Sequence, residues 1–168
     1  RQSLASLSQA LYSLRRALEG PAPDLIDART DTVAVRANRI DVDALKLDAA
    51  CTEECDAGRR RSLELYSGAF LDDLAIDTEE GYSEWRAAEH ARLEGLAVMA
   101  GTQLMEGWER RPEDADMALV DRLLSIDPYN EPAMRVRMTR LALSGRPAAA
   151  IEAADGFAAT LDAELGIT

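Results

Sequence analysis

Few side chains in this sequence are of the kind that make or break bonds. Cys51 and Cys55 are the only cysteines and His90 is the only histidine. A spacing of four puts both thiols on one face of a helix, which supplies half a metal site at most. His90 lies too far along the chain to complete that site without carboxylates. The pair reads more simply as ordinary reduced thiols, which suits a cytoplasmic setting. The carboxylate pairs Asp72/Asp73 and Glu79/Glu80 could be set to acid–base work, but they precede a long helical pattern. Stabilisation by the helix dipole and plain solvation account for them there. No nucleophile, second histidine or glycine-rich phosphate loop accompanies them. The sequence gives catalysis no support and implies no cofactor.

Binding chemistry is better represented, near the start of the chain. Residues 3–19 place Leu4, Leu7, Leu11, Leu14 and Leu18 on one stripe, the mark of an amphipathic helix. At 100° per residue the opposite face collects Gln2, Ala5, Ser6, Gln9, Ser13 and Arg16. A merely solvated face is usually rich in Glu and Lys; this one carries amides, hydroxyls and an arginine. Gln can bond bidentately to adenine, Arg to guanine, and Ser to phosphates or bases. The plain alternative is a polar surface helix.

The elements that would position this face follow directly. Gly20-Pro21-Ala22-Pro23 ends the helix, because proline cannot continue it. Residues 24–29 and 32–37 are short β-prone runs separated by Thr30-Asp31, with Val33 and Val35 alternating against Ala34 and Arg36. A helix followed by a hairpin carrying Arg29, Arg36 and Arg39 is the tail of a winged helix-turn-helix, in which the last helix enters the major groove and the hairpin reaches for the backbone or minor groove. The two preceding helices of such a domain would lie before Arg1.

Charge divides the chain at the same place. Residues 1–40 hold six arginines against four acids, a balance of +2, so the remainder carries −14 of the total −12. A strongly acidic second part argues against nucleic acid lying along it. Apolar content of 47% with only 5% aromatic predicts a core built on Ala and Leu. No run approaches the ~18 apolar residues of a membrane span.

Residues 41–168 read as helical throughout. Asp41 or Asp43 can cap a helix that runs to Cys55. Arg59, Arg60 and Arg61 read as a loop and helix end complementing its own dipole. Residues 62–77 suit a short helix, a turn at Gly68 and an extended stretch. Residues 79–111 form the longest helical pattern, with Tyr82, Trp85, Ala88 or Glu89, Leu93, Leu96, Ala100, Leu104 and Trp108 at a spacing of three and four that marks one face. Gly95, Gly101 and Gly107 lie inside it and are tolerable if a neighbour packs closely. Residues 112–126 give a further helix. Residues 131–166 give a helical hairpin closed by Gly145 and reopened by Pro147. Its inward residues are Met134, Met138 and Leu141 on one arm and Ala150, Ile151, Ala154, Phe157 and Leu161 on the other. Arg111-Pro112 and Arg146-Pro147 recur at a tetratricopeptide-like period of about 34 residues, two helices per unit.

These segments resemble a known family. SLASLSQALYSLRRALEG with the hairpin after it looks like the end of the winged-helix domain of SARP-like (antibiotic-regulatory-protein-type) activators. YSGAFLDDL resembles the turn segment that follows there. WRAAEHARLEGLAVMAG, SIDPYNEPAMRVRMTRLALSGRPAAAIEAADGF and LDAELGI resemble their bacterial transcriptional activator domain. The resemblance implies a mainly α fold: a tetratricopeptide-like helical repeat domain over residues 41–168, preceded over residues 1–40 by the recognition helix and β-hairpin wing of an OmpR-type winged helix-turn-helix. It implies a DNA-binding transcriptional regulator whose helical domain serves dimerisation or contacts with RNA polymerase or another protein. The alternative is a protein-interaction or signalling module of a larger regulator, with a vestigial winged helix.

Overall fold

A computed structural model describes residues 2–29, 32–72 and 80–166, with side chains undescribed at 2–5, 37, 80 and 165. The chain forms two compact units, residues 1–42 and 43–168.

The first unit consists of helix α1 (Gln2–Leu18) and a two-stranded antiparallel ribbon, β1 (Ile26–Ala28) and β2 (Val33–Val35). The ribbon pairs Ile26 with Val35 and Ala28 with Val33, but the alternation expected of a half-buried strand is not seen in burial: Val33 and Val35 are 47% and 55% exposed, and Ala34 between them is exposed too. The peptide N–H of Arg29 donates to the Thr32 carbonyl at 2.8 Å, closing the hairpin around residues 30–31, which lie outside the described set. The leucine stripe of α1 is not sealed. Leu7 and Leu14 are 52% and 50% exposed, and Leu11 and Leu18 only half-buried. The expected contrast between an inward and an outward face is therefore weak, because two three-residue strands offer little surface to pack against.

The second unit is mainly helical, consistent with a tetratricopeptide-like domain. It comprises α2 (Asp43–Cys51), α3 (Asp56–Leu65), α4 (Glu80–Glu109), α5 (Met117–Ile126), α6 (Glu131–Leu143) and α7 (Pro147–Leu165). Helices α2 and α3 pack on each other and on α4, α4 packs on α5 and α6, and α7 packs on α6. One apolar cluster centres on Leu63, Leu104, Met105, Val120, Leu123 and Val136. A second joins Leu47, Tyr66, Leu93 and Ala97. Aliphatic residues dominate both, as the low aromatic content predicts.

Local signals explain the helix ends. Asn130 caps α6: its side-chain oxygen accepts from the Ala133 N–H at 3.2 Å, while its amide donates to Thr102 at 2.7 Å and Asp127 at 3.0 Å. At the other end Gly145 adopts φ +77°. The N–H groups of Gly145 and Arg146 return to the Ala142 and Leu141 carbonyls at 3.1 and 3.0 Å. That is a Schellman closure, and Pro147 then starts α7, where its missing donor costs nothing.

Several expectations change. No single helix spans residues 41–55. Helix α2 stops at Cys51, and Cys55 sits at the N-cap of α3. The two thiols therefore do not share a helical face; Cys51 instead lies 3.3 Å from the Ser62 hydroxyl. The three arginines stand inside α3 rather than at a helix end. Arg59 pairs with Asp56, Arg60 with Asp116 and Arg61 with Glu53 at 2.6–3.1 Å, and Arg60 also lies over the Trp108 ring at 5.1 Å. Pro112 opens a single 3₁₀ turn, and α5 begins later because Asp116 caps it by accepting from the Ala118 N–H. Of the three glycines expected to admit a close neighbour in α4, only Gly101 does so: a methyl there would lie 2.9 Å from Leu123. Trp85 and Ile151 are 50% and 62% exposed, and the inward residues of α6 are Ala133 and Val136. Met134, Met138 and Leu141 are half-buried. Leu74, Ile76 and the extended stretch expected before Asp77 lie outside the described residues, as does Ile167.

Candidate nucleic-acid interface

Helix α1 contains no acidic residue, and its last turn carries Arg15 and Arg16. Those charges complement the partial negative charge of the helix C-terminus, which is the plain structural reason for them. The geometry nevertheless collects the sequence-selected residues. Ser6, Gln9, Ser13 and Arg16 are all exposed on α1. Gln9 and Arg16 are two turns apart, roughly 10 Å along the axis at 1.5 Å per residue, the length of about three base steps. Gln2 is within the helix, but its side chain lies outside the described set.

The hairpin arginines differ in how free their charge is. The Arg29 guanidinium donates to the Asp27 carboxylate at 3.2 Å, and Arg39 donates to Asp24 at 3.3 Å. Arg36 is exposed and makes no ion pair among the described residues. Both ion pairs are at the surface, where such contacts contribute little and yield readily to a stronger anion. The first unit thus presents one helix face of amides, hydroxyls and guanidinium, and a short ribbon flanked by Arg29 and Arg36, with Arg39 set off the hairpin in a 3₁₀ turn over Ala37–Arg39.

Of the acidic pairs set aside above, only the Asp72 side chain is among the described residues. Asp72 is exposed, Asp73 and Glu79 lie outside the described residues, and so does the side chain of Glu80. A polar group that sequence reasoning missed occupies the second unit instead. The Tyr66 hydroxyl donates to Glu94 at 3.0 Å, and His90 Nε2 lies 3.3 Å from the same carboxylate oxygen. His90 Nδ1 accepts from the Phe70 N–H at 3.3 Å, so its proton sits on Nε2, facing Glu94. The His90/Glu94 spacing of four was the available signal; the position of Tyr66 was not legible. Desolvation first, and the Glu94 carboxylate second, push the Tyr66 hydroxyl up to about 12 from its ordinary 10.0. Its folded value exceeds its unfolded one, so the stabilisation is complete below pH 10 and is lost as pH climbs towards 12. Urea titrations at pH 9 and pH 11 should show that loss, and Tyr66→Phe should flatten it. An equally steep loss in the variant would assign the effect to another group.

No helix among the described residues is long and apolar enough to cross a membrane. No curated protein and no solved structure matches the chain. A family model does: residues 30–168 match that of the bacterial transcriptional activator domain, a regulatory family and not a family of enzymes. Helix α1 precedes the matched segment.

Proposed function

Because the chain belongs to the bacterial transcriptional activator domain family, we propose that it is part of a DNA-binding transcriptional regulator. In this reading residues 1–40 are the recognition helix and wing of a winged helix-turn-helix, and residues 41–168 form the regulatory helical domain. Gln2, Ser6, Gln9, Ser13 and Arg16 face the base edges and phosphates, and Arg29 and Arg36 give wing contacts. The helical domain mediates dimerisation or contacts with RNA polymerase. One observation carries the reading: an acid-free helix exposes Gln9, Ser13 and Arg16 together, immediately before an arginine-bearing ribbon. The charge of the two parts supports it, since the acidic part would repel DNA and the first forty residues would not.

The test is a mobility shift with the full-length protein and DNA from its own upstream region, at two salt concentrations. Binding should weaken as salt rises. Arg16→Ala should weaken it further, by about tenfold if the guanidinium reads a guanine and less if it meets only a phosphate. Retention indifferent to salt would contradict phosphate-led recognition. The ion pairs holding Arg29 and Arg39 favour a second reading, a helical protein-interaction module whose winged part is vestigial. An absence of any shift would decide for that one.

A further inference from the structure

Between α5, α6 and α7 lies a cavity of about 540 Å³, within the range of small-ligand sites. Three arginines line it in the acidic part of the chain: Arg137 and Arg140, one turn apart on α6, and Arg146 at the entry to α7. Their charges are poorly matched. Arg137 reaches Asp121 only at 3.7 Å. Among the described residues Arg140 and Arg146 make no ion pair, and Glu152, which also lines the cavity, pairs with none of the three. The Arg140 Nε atom is shut off from solvent without an acceptor. An atom closed to water is closed to a ligand too, so any contact with the cavity falls to the terminal nitrogens of Arg140, which lines it. The position of Arg140 in the last turn of α6 suits the helix dipole, but the charge has no ionic partner among the described residues. Met117 and Leu141 supply apolar wall.

We propose that this cavity binds a small organic oxyanion, a phosphate or carboxylate group on an apolar body. Arg140 and Arg146 take the anionic oxygens, for which a guanidinium's fork of donors is suited, and the apolar body lies against Met117 and Leu141. The site lies wholly within the helical unit and does not depend on the DNA reading: a failed mobility shift leaves it standing, and failure here leaves that reading standing.

Isothermal titration calorimetry of the full chain tests it with phenyl phosphate as the probe, benzoate and inorganic phosphate as arms to separate the sources of the oxyanion, and benzyl alcohol as the uncharged control. Phenyl phosphate or benzoate should bind saturably and more tightly than inorganic phosphate, which lacks the apolar body. Arg140→Gln should weaken the better ligand by about tenfold, the worth of one charge-assisted contact. Arg146→Glu, at an exposed turn where folding is not at stake, should do the same and keeps the test decisive if Arg140→Gln does not fold. The proposal is overturned if neither aromatic anion binds, if benzyl alcohol binds as tightly, or if a folded variant binds as the native chain does.

Discussion

Replacing Gly58 with alanine is expected to lower the unfolding free energy by about 3 kcal/mol, at the upper end of what overpacking usually costs. Gly58 is buried in α3, where the chain has just turned back from α2. A methyl group there would lie 2.5 Å from Glu53 Cβ, 2.7 Å from the Glu53 carbonyl oxygen and 2.9 Å from the Ala50 carbonyl oxygen. Two of these neighbours are backbone atoms. They belong to a turn in which the Glu53 N–H already donates to Ala50 at 3.1 Å, so neither can move without breaking the turn. The gain of roughly 1 kcal/mol that alanine normally brings to a helix interior is too small to compensate. Gly95→Ala is the matched control, since nothing lies within 4 Å of a methyl placed there. It should be neutral or stabilising by up to about 1 kcal/mol. Urea unfolding followed by circular dichroism distinguishes the two. Equal midpoints would mean that the α2–α3 turn is looser than the structure has it.

Truncating Arg122 should cost about 2–3 kcal/mol, from charge-assisted hydrogen bonds lost at a helix end. From α5 its Nε donates to the Leu63 carbonyl at 2.7 Å, and one terminal nitrogen donates to Glu64 at 3.2 Å and to Tyr66. Those carbonyls close α3, which ends at an extended Tyr66 without a glycine cap. The last carbonyls of a helix lack partners within it, and here a guanidinium from a distant helix supplies them along with a favourable charge. Arg122→Ala removes all three bonds. Arg122→Lys keeps the charge but lacks the planar fork, so it should recover only part of the loss. If the lysine variant matched the native chain in thermal denaturation, the fork would be irrelevant and charge alone would explain the contact.

What the sequence made legible was what is local. Gly145 followed by Pro147 marks the α6–α7 turn, because one residue must adopt positive φ and the other can dispense with a donor. The length of α4 was readable from periodicity alone. The α2–α3 break was not: the residues between Cys51 and Asp56 include no proline or glycine, and the close approach that demands Gly58 exists only once the helices pack. Periodicity also misplaced Trp85 and Ile151. It identifies apolar positions but not how far a neighbouring helix reaches, and α4, with 30 residues, is three times as long as α3 or α5, which have 10 each. The arginines of α3 looked like a run of charge. Their partners, Asp56, Glu53 and the distant Asp116, are tertiary facts. In the first unit, the shared face of Gln9, Ser13 and Arg16 was legible because 100° per residue is geometry. The incomplete cover of the leucine stripe was not, because burial depends on what packs against it.

Among the described residues helix α7 packs chiefly on α6, and none of its described side chains is fully buried. In a stack of helix pairs, stability is a sum over neighbouring interfaces, and an element held by a shallow interface opens before the rest. Amide protons of α7 should therefore exchange through sub-global opening while those of α4 and α5 wait for global unfolding. The arginine-lined cavity lies on that same interface. An anion bound there would slow the opening, so the α6–α7 interface would act as a latch whose closed population a ligand sets.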